Sequence, residues 1–214
     1  MTPGTTAVGS CLQALREGTR AHHDAIEQVM DAQRLGEPGY HRRVMQAFLD
    51  FHAAWEPELA EALKAESADN RDFLASGSRW PQLQADAEAL SLSTHPVVPV
   101  AGSTLQPEQL WGAAYVLWGS MLGGRVICRQ HDHATLDDGA PAPGWAYFHG
   151  LGERTGAMWK GFVERLPGRA GQPGWSDALA VQAAQDTFSR LTQAMQAIHA
   201  LQPVTPATSC SPTR

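Results

Sequence analysis

Sixteen residues in a row, Gln109 to Gly124, carry no charged side chain, and Gly119, Gly123 and Gly124 fall inside that run. The stretch reads as an apolar helix, yet each interior glycine weakens a helix by roughly 1 kcal/mol relative to alanine. Three glycines within six residues therefore point to something that must touch the backbone. A neighbouring helix is one such thing, because Gly119 and Gly123 form a GxxxG pair that lets two helices approach closely. A flat ligand is the other. The pair alone leaves unexplained Gly124 and the small polar Ser120 in the same turn, whereas a porphyrin slotted between this helix and the first one would account for both.

The rest of the chain reads as all-α. Long helical blocks alternate with Pro/Gly-rich breaks, and no alternating apolar run of strand length stands out. A length of 214 residues with 43% hydrophobic content suits one large single-domain helical bundle. The expected domain is 10–202, flanked by flexible tails at 1–9 and 203–214, which lack a periodic apolar face. Within it we expect a first helix near 10–33, ended by Gly36, Pro38 and Gly39. A second runs from Gly39 to Trp55, with Pro57 kinking or restarting it through Ala65. A shorter helix follows from Pro81 to Leu90, then the loop STHPVVPVAGST. Ser103 or Thr104 ahead of Pro107 and Glu108 marks the start of the glycine-bearing helix, which should reach His131. The stretch DDGAPAPG is a break, and helices at 144–166 and 176–201 are separated by PGRAGQPG.

Net charge is −6 with the sixteen basic residues scattered, which argues against a nucleic-acid surface. No stretch has the roughly 18 apolar residues of a spanning helix, and MTPGTTAVGS lacks the layout of a signal peptide, so the expected location is cytoplasmic and off the membrane. Cys11, Cys128 and Cys210 are too few and too widely spaced for a disulfide framework or a zinc knuckle.

On the first helix, Leu12, Leu15, Thr19, Ile26, Val29 and Met30 gather on one side, and His22 and His23 both lie near it. Glu27 follows His23 by four residues, one turn away, but is rotated off His22. A carboxylate so placed can orient an imidazole and raise its basicity as a metal ligand, which makes His23 the better candidate. The plainer reading is a surface helix pair. Arg16 precedes His23 by seven residues, about 10.5 Å along the axis, a fitting offset from an iron to an anionic edge of its ligand. Arg20, Arg125, Arg129 and Lys160 are further cationic candidates. The cluster Gln130-His131-Asp132-His133 looks metal-like, but a helix C-terminus attracts histidines through its dipole. No glutamate has a histidine three residues later, and HExxH, GxSxG and P-loop motifs are absent.

Together these residues resemble the haem oxygenase family, most closely its bacterial members that accompany phytochromes. LREGTRAHHDAIE, Leu15 to Glu27, is similar to the family's proximal helix, with His23 on the axial haem-iron ligand and Glu27 on its hydrogen-bond partner. YVLWGSMLGGRVI, Tyr115 to Ile127, resembles the distal helix, with Gly119, Gly123 and Gly124 on the glycines that lie over the haem. The likeness continues through YHRRVMQAFLDFHAAWEPEL, WPQLQADAEAL and YFHGLGERTGAMWKGFVERL, over roughly residues 12–195. Two positions depart from it: Trp118 stands where bacterial relatives usually carry glutamate, and Met158 where many carry an arginine ahead of the tryptophan, here Trp159. Ser120 takes the place of the animal enzymes' distal aspartate.

The resemblance implies oxidative opening of haem, both substrate and cofactor, to biliverdin, with release of iron and carbon monoxide. It implies dioxygen, electrons from an external reductase or ferredoxin, and a bacterial phytochrome as acceptor of the bilin. Gly119, Ser120 and Gly123 would shape the catalytic side; Arg16, His23, Glu27 and Gly124 would help to hold the haem. With no distal carboxylate, proton delivery would fall to water held by backbone carbonyls and the Ser120 hydroxyl. A non-catalytic haem carrier on the same fold is the alternative. A thiaminase-like hydrolase would need a base beside Cys11 or Cys128, and a di-iron oxidase more inward carboxylates than we can assemble.

Overall fold

The computed structural model describes residues 10–94 and 105–200 and is all-α. The expected tails, most of the loop STHPVVPVAGST, Cys210 and the caps Ser103 and Thr104 lie outside the described residues. The helices are α1 (Ser10–Val29), α2 (Pro38–Leu63), α3 (Ala68–Ala75), α4 (Trp80–Ala89), α5 (Pro107–Gln130), α6 (Ala146–His149), α7 (Arg154–Ala170) and α8 (Asp177–Ala200). None of them is long and apolar enough to cross a membrane.

The bundle is assembled on α8. Ala180, Ala184, Phe188, Leu191, Met195 and Ile198 recur every three or four residues along it and are all buried, the stripe of a helix with a wide apolar side. It packs against α1, α2 and α5. Small residues permit this closeness: a Cβ on Gly112 of α5 would collide with the Ala180 carbonyl of α8, and one on Gly18 of α1 would lie 2.5 Å from Val181. Leu15 and Thr19 continue the buried side of α1, the Thr19 hydroxyl being satisfied by the Leu15 carbonyl at 2.7 Å. The opposite sides of α1 and α5 are more open, and on them lie most of the candidate residues.

Several boundaries differ from the sequence reading. The first helix ends at Val29, and a 3-10 turn at Ala32–Gly36, capped by Asp31, fills the remainder of the expected block. Pro57 neither breaks nor restarts α2, which runs on to Leu63, with Trp55 and Ala62 buried on either side of it. Helix α3 was not expected; Ser67 caps it by accepting the Asn70 N–H. The expected 144–166 helix is two, because Gly150 and Gly152 take φ values of 62° and 59°, which halt a right-handed helix. Conversely, α7 continues through Pro167 to Ala170. The observed cap of α5 is Gln106, whose N–H bonds the Gln109 side chain at 2.8 Å.

Candidate functional site

The exposed side of α1 carries His23 and Glu27, with side chains 56% and 67% accessible. His23 Nδ1 lies 3.6 Å from Glu27 Oε1, and Phe188 of α8 meets the imidazole edge-on with ring centroids 5.9 Å apart. Glu27 and Phe188 thus flank the ring, which stays more than half accessible to solvent. His22 is half-buried, and its Nδ1 has no hydrogen-bond partner in the structure. Among the described residues, His23, Asp24 and Glu27 are the one group of three or more histidine, cysteine or carboxylate residues whose ligating atoms all lie within 4.8 Å of one another. Arg16, Arg20 and Arg129 are exposed, Arg125 is half-buried, and Lys160 pairs with Glu164 at 3.6 Å.

The exposed side of α5 separates the glycines. A Cβ on Gly123 would meet nothing within 4 Å, and one on Gly119 would only touch the Trp159 ring at 3.6 Å. Neither glycine is required by packing. Gly124 is the correction: it is buried, and a Cβ there would lie 2.5 Å from the Phe148 carbonyl of α6. Its missing side chain serves the α5–α6 contact, not the open side. The wall beside Gly119 is aromatic. Trp159 stacks on Phe162 with centroids 5.5 Å apart, and Tyr115 approaches Trp159 at 5.8 Å.

Behind this face runs a polar chain that sequence reasoning missed. Arg79, buried at the head of α4, donates from Nη2 to the Leu117 carbonyl at 3.0 Å and to Ser120 Oγ at 2.7 Å. Its guanidinium lies over the Tyr147 ring at 4.0 Å. The Tyr147 hydroxyl is 2.9 Å from His52 Nε2, and His52 Nδ1 is 3.2 Å from Glu56 Oε1. The neutral tautomer that satisfies both donates from Nδ1 to Glu56 and accepts from Tyr147. Burial pushes His52 below its usual pKa and Tyr147 above it, which keeps both neutral. Asp86 fixes the position of Tyr147 by accepting the Ala146 and Tyr147 N–H groups at 2.9 and 2.7 Å; burial raises its own pKa to about 6. A cavity of about 180 Å³, lined by His52, Glu56, Leu74, Arg79, Leu117 and Trp118 among others, adjoins this chain. At that size it takes a benzene-sized body, not a porphyrin.

The remaining expectations resolve as packing. The His131 ring is buried, bonds the Ala32 carbonyl at 2.8 Å and packs with His133 around Trp145, so the histidines ending α5 tie loops together. Trp118 and Met158 are core residues, Trp118 packing on Phe73 and Phe162. Cys11 and Cys128 are buried free thiols with pKa values pushed up, chiefly by burial, to about 12 and about 11. Neither is a nucleophile at neutral pH.

A protein-family model, Heme oxygenase, matches residues 10–197. The chain belongs to the haem oxygenase family. The fold agrees: this family member superposes on the crystal structure of haem oxygenase 2 from Chlamydomonas reinhardtii without haem, with a TM-score of 0.68 and 18% identity over 88% of this chain and 97% of that one. No curated protein sequence matches it. Family membership supports catalytic potential and dependence on haem and dioxygen. The residues fit such a group: an accessible imidazole with a carboxylate beside it on one helix, and on another two glycines, Gly119 and Gly123, at which no neighbour excludes a side chain.

Proposed function

We propose that this haem oxygenase family member opens haem to biliverdin, releasing iron and carbon monoxide, with His23 as the axial ligand of the iron. The observation that carries the reading is the pairing of two exposed, individually weak features. His23 and Glu27 are not needed for burial, and Gly119 and Gly123 lower the helix propensity of α5 without admitting any neighbour in exchange. A planar, iron-bearing ligand between the open sides of α1 and α5 gives each a purpose.

In this reading Glu27 accepts from His23 Nδ1, fixing the tautomer that leaves Nε2 free to ligate and strengthening the donor. Phe188 keeps the ring from rotating. Haem, once bound, supplies the oxygen-activating chemistry, and a neutral imidazole suits it where a thiolate would favour O–O cleavage. Gly119 and Gly123 would let a planar ligand approach the main chain of α5 beside Ser120, and Trp159 with Tyr115 would wall one edge. Arg16, with Arg20, Arg125, Arg129 and Lys160 as further candidates, would meet propionates. Electrons from a reductase or ferredoxin, a bacterial phytochrome as bilin acceptor and a cytoplasmic location belong to the reading on resemblance alone.

The test is to add hemin to the apoprotein, then ascorbate or a ferredoxin system in air, and follow the absorption spectrum. Conversion of the haem bands to a biliverdin spectrum is the expected result. A stable haem spectrum under reductant and oxygen would instead identify a carrier.

A further inference from the structure

Arg79 is a buried guanidinium with no carboxylate hydrogen-bonded to it among the described residues. Its partners are a carbonyl, a hydroxyl and the face of a phenol ring. Glu56 acts on it only through space. An unneutralised buried cation is costly, and pinning one helical carbonyl does not require a charge. What the charge does reach is Ser120, the exposed polar side chain between half-buried Gly119 and exposed Gly123.

Two hydrogen bonds engage the Ser120 hydroxyl. A hydroxyl has one proton. Ser120 spends it on the Leu117 carbonyl at 2.9 Å, and its oxygen already accepts from Arg79. Toward solvent Ser120 therefore offers only its remaining lone pair. It can hold a water by accepting from it, its own proton being committed to the Leu117 carbonyl.

We propose that Arg79 is a positioning residue for the exposed face of α5, fixing Ser120 as an acceptor and setting a permanent positive charge behind that face. The proposal rests on the haem reading, because it assigns the charge a purpose at the same site. The guanidinium cannot swing away: Tyr147 lies under it, His52 and Glu56 hold the Tyr147 hydroxyl, and Asp86 holds the Tyr147 backbone. A fixed cation stabilises negative charge that develops in front of it and makes a water there a stronger acid, at no cost of reorganisation.

The readout is the acid–alkaline transition of the ferric, hemin-loaded protein, followed by absorption, beside thermal melts of the same samples. Arg79→Gln should raise the transition by about one pH unit, a tenfold change in proton affinity. Arg79→Lys, which keeps the charge, should stay close to the wild type. Ser120→Ala, at an exposed position, should shift it upward by about half as much, since the charge remains but its link to the face is cut. If Arg79→Gln does not fold, Ser120→Ala decides: an unchanged transition overturns the proposal. So does an Arg79→Gln protein that is loaded and less stable but titrates as the wild type, the mark of a purely structural arginine. An Arg79→Lys protein shifted as far as Arg79→Gln contradicts the role of charge. Wild type that takes up no hemin would sink the haem reading itself, whereas loaded variants with unmoved transitions sink this inference alone.

Discussion

Within the described helices two histidine–glutamate pairs share the i, i+4 spacing, His23 with Glu27 on α1 and His52 with Glu56 on α2, and they live in opposite surroundings. The first is 56% and 67% accessible with its atoms 3.6 Å apart; the second is 3% and 23% accessible at 3.2 Å. An exposed pair of this kind is worth a few tenths of a kcal/mol, so α1 loses little by keeping its imidazole free for another partner. In the buried pair both ring nitrogens of His52 are committed, one to Glu56 and one to Tyr147, and its ring is part of the core. The same four-residue interval thus builds an accessible imidazole in one place and a structural connector in the other. Solvent access makes the difference.

Substitution should separate the pairs. His52→Ala removes a buried ring and orphans the Tyr147 hydroxyl, so chemical denaturation of the apoprotein should show a loss of about 3–5 kcal/mol. His23→Ala should change the same measurement by less than about 0.5 kcal/mol. Equal losses would erase the distinction. The glycines of α5 offer a parallel contrast of slightly smaller size. Gly112→Ala drives a methyl into the Ala180 backbone and should cost about 3 kcal/mol, whereas Gly123→Ala meets only open space and should stabilise the apoprotein by up to about 1 kcal/mol. A Gly123→Ala protein as damaged as Gly112→Ala would mean that the exposed glycine has a packing role after all.

Acid–base linkage sharpens the buried side further. Folding raises the Asp86 pKa to about 6, so the native state retains a proton that the unfolded chain has released between about pH 4 and pH 6. The stability linked to this group is present below that window and is lost as pH rises through it, by roughly 3 kcal/mol. His52 has the opposite sign: its pKa is lowered by burial, so its contribution is present above the ordinary histidine value and lost as pH falls. Subtracting the Asp86→Asn stability–pH curve from the wild-type curve should isolate the falling slope; a flat difference would refute it. The smallest effect is on the exposed pair. Glu27→Gln should leave apoprotein stability within about 0.5 kcal/mol while weakening hemin binding about 10- to 100-fold, measured by titration.

How much of this the sequence disclosed follows the same division. Period and punctuation revealed the all-α class, the start of α1 and the extent of α5, because those depend on local patterns. The α6–α7 break escaped it, and whether Pro57 kinks or restarts α2 stayed open. Positive φ at Gly150 and burial on both sides of Pro57 are set by tertiary neighbours. At the site, His23 and Glu27 were legible as an i, i+4 pair, and Gly119 and Gly123 as glycines out of place in a helix. Gly124 carried the same local signal for a different reason, a carbonyl of α6 that no sequence window contains. The chain from Glu56 through His52, Tyr147 and Arg79 to Ser120 joins α2, α4, α5 and α6, and its members are separated by up to 95 residues at a single hydrogen bond. The HxxxE spacing of His52 and Glu56 was the one available signal; it matched that of His23 and Glu27.

The central claim, that His23 on the open side of α1 holds the iron, is most directly tested by hemin titration of the wild type, His22→Ala and His23→Ala, read by Soret absorption and resonance Raman spectroscopy. The expected result is histidine-ligated haem of equal stoichiometry in the first two and its loss in His23→Ala. Histidine-ligated haem that persists in His23→Ala, or that disappears in His22→Ala alone, would contradict the account.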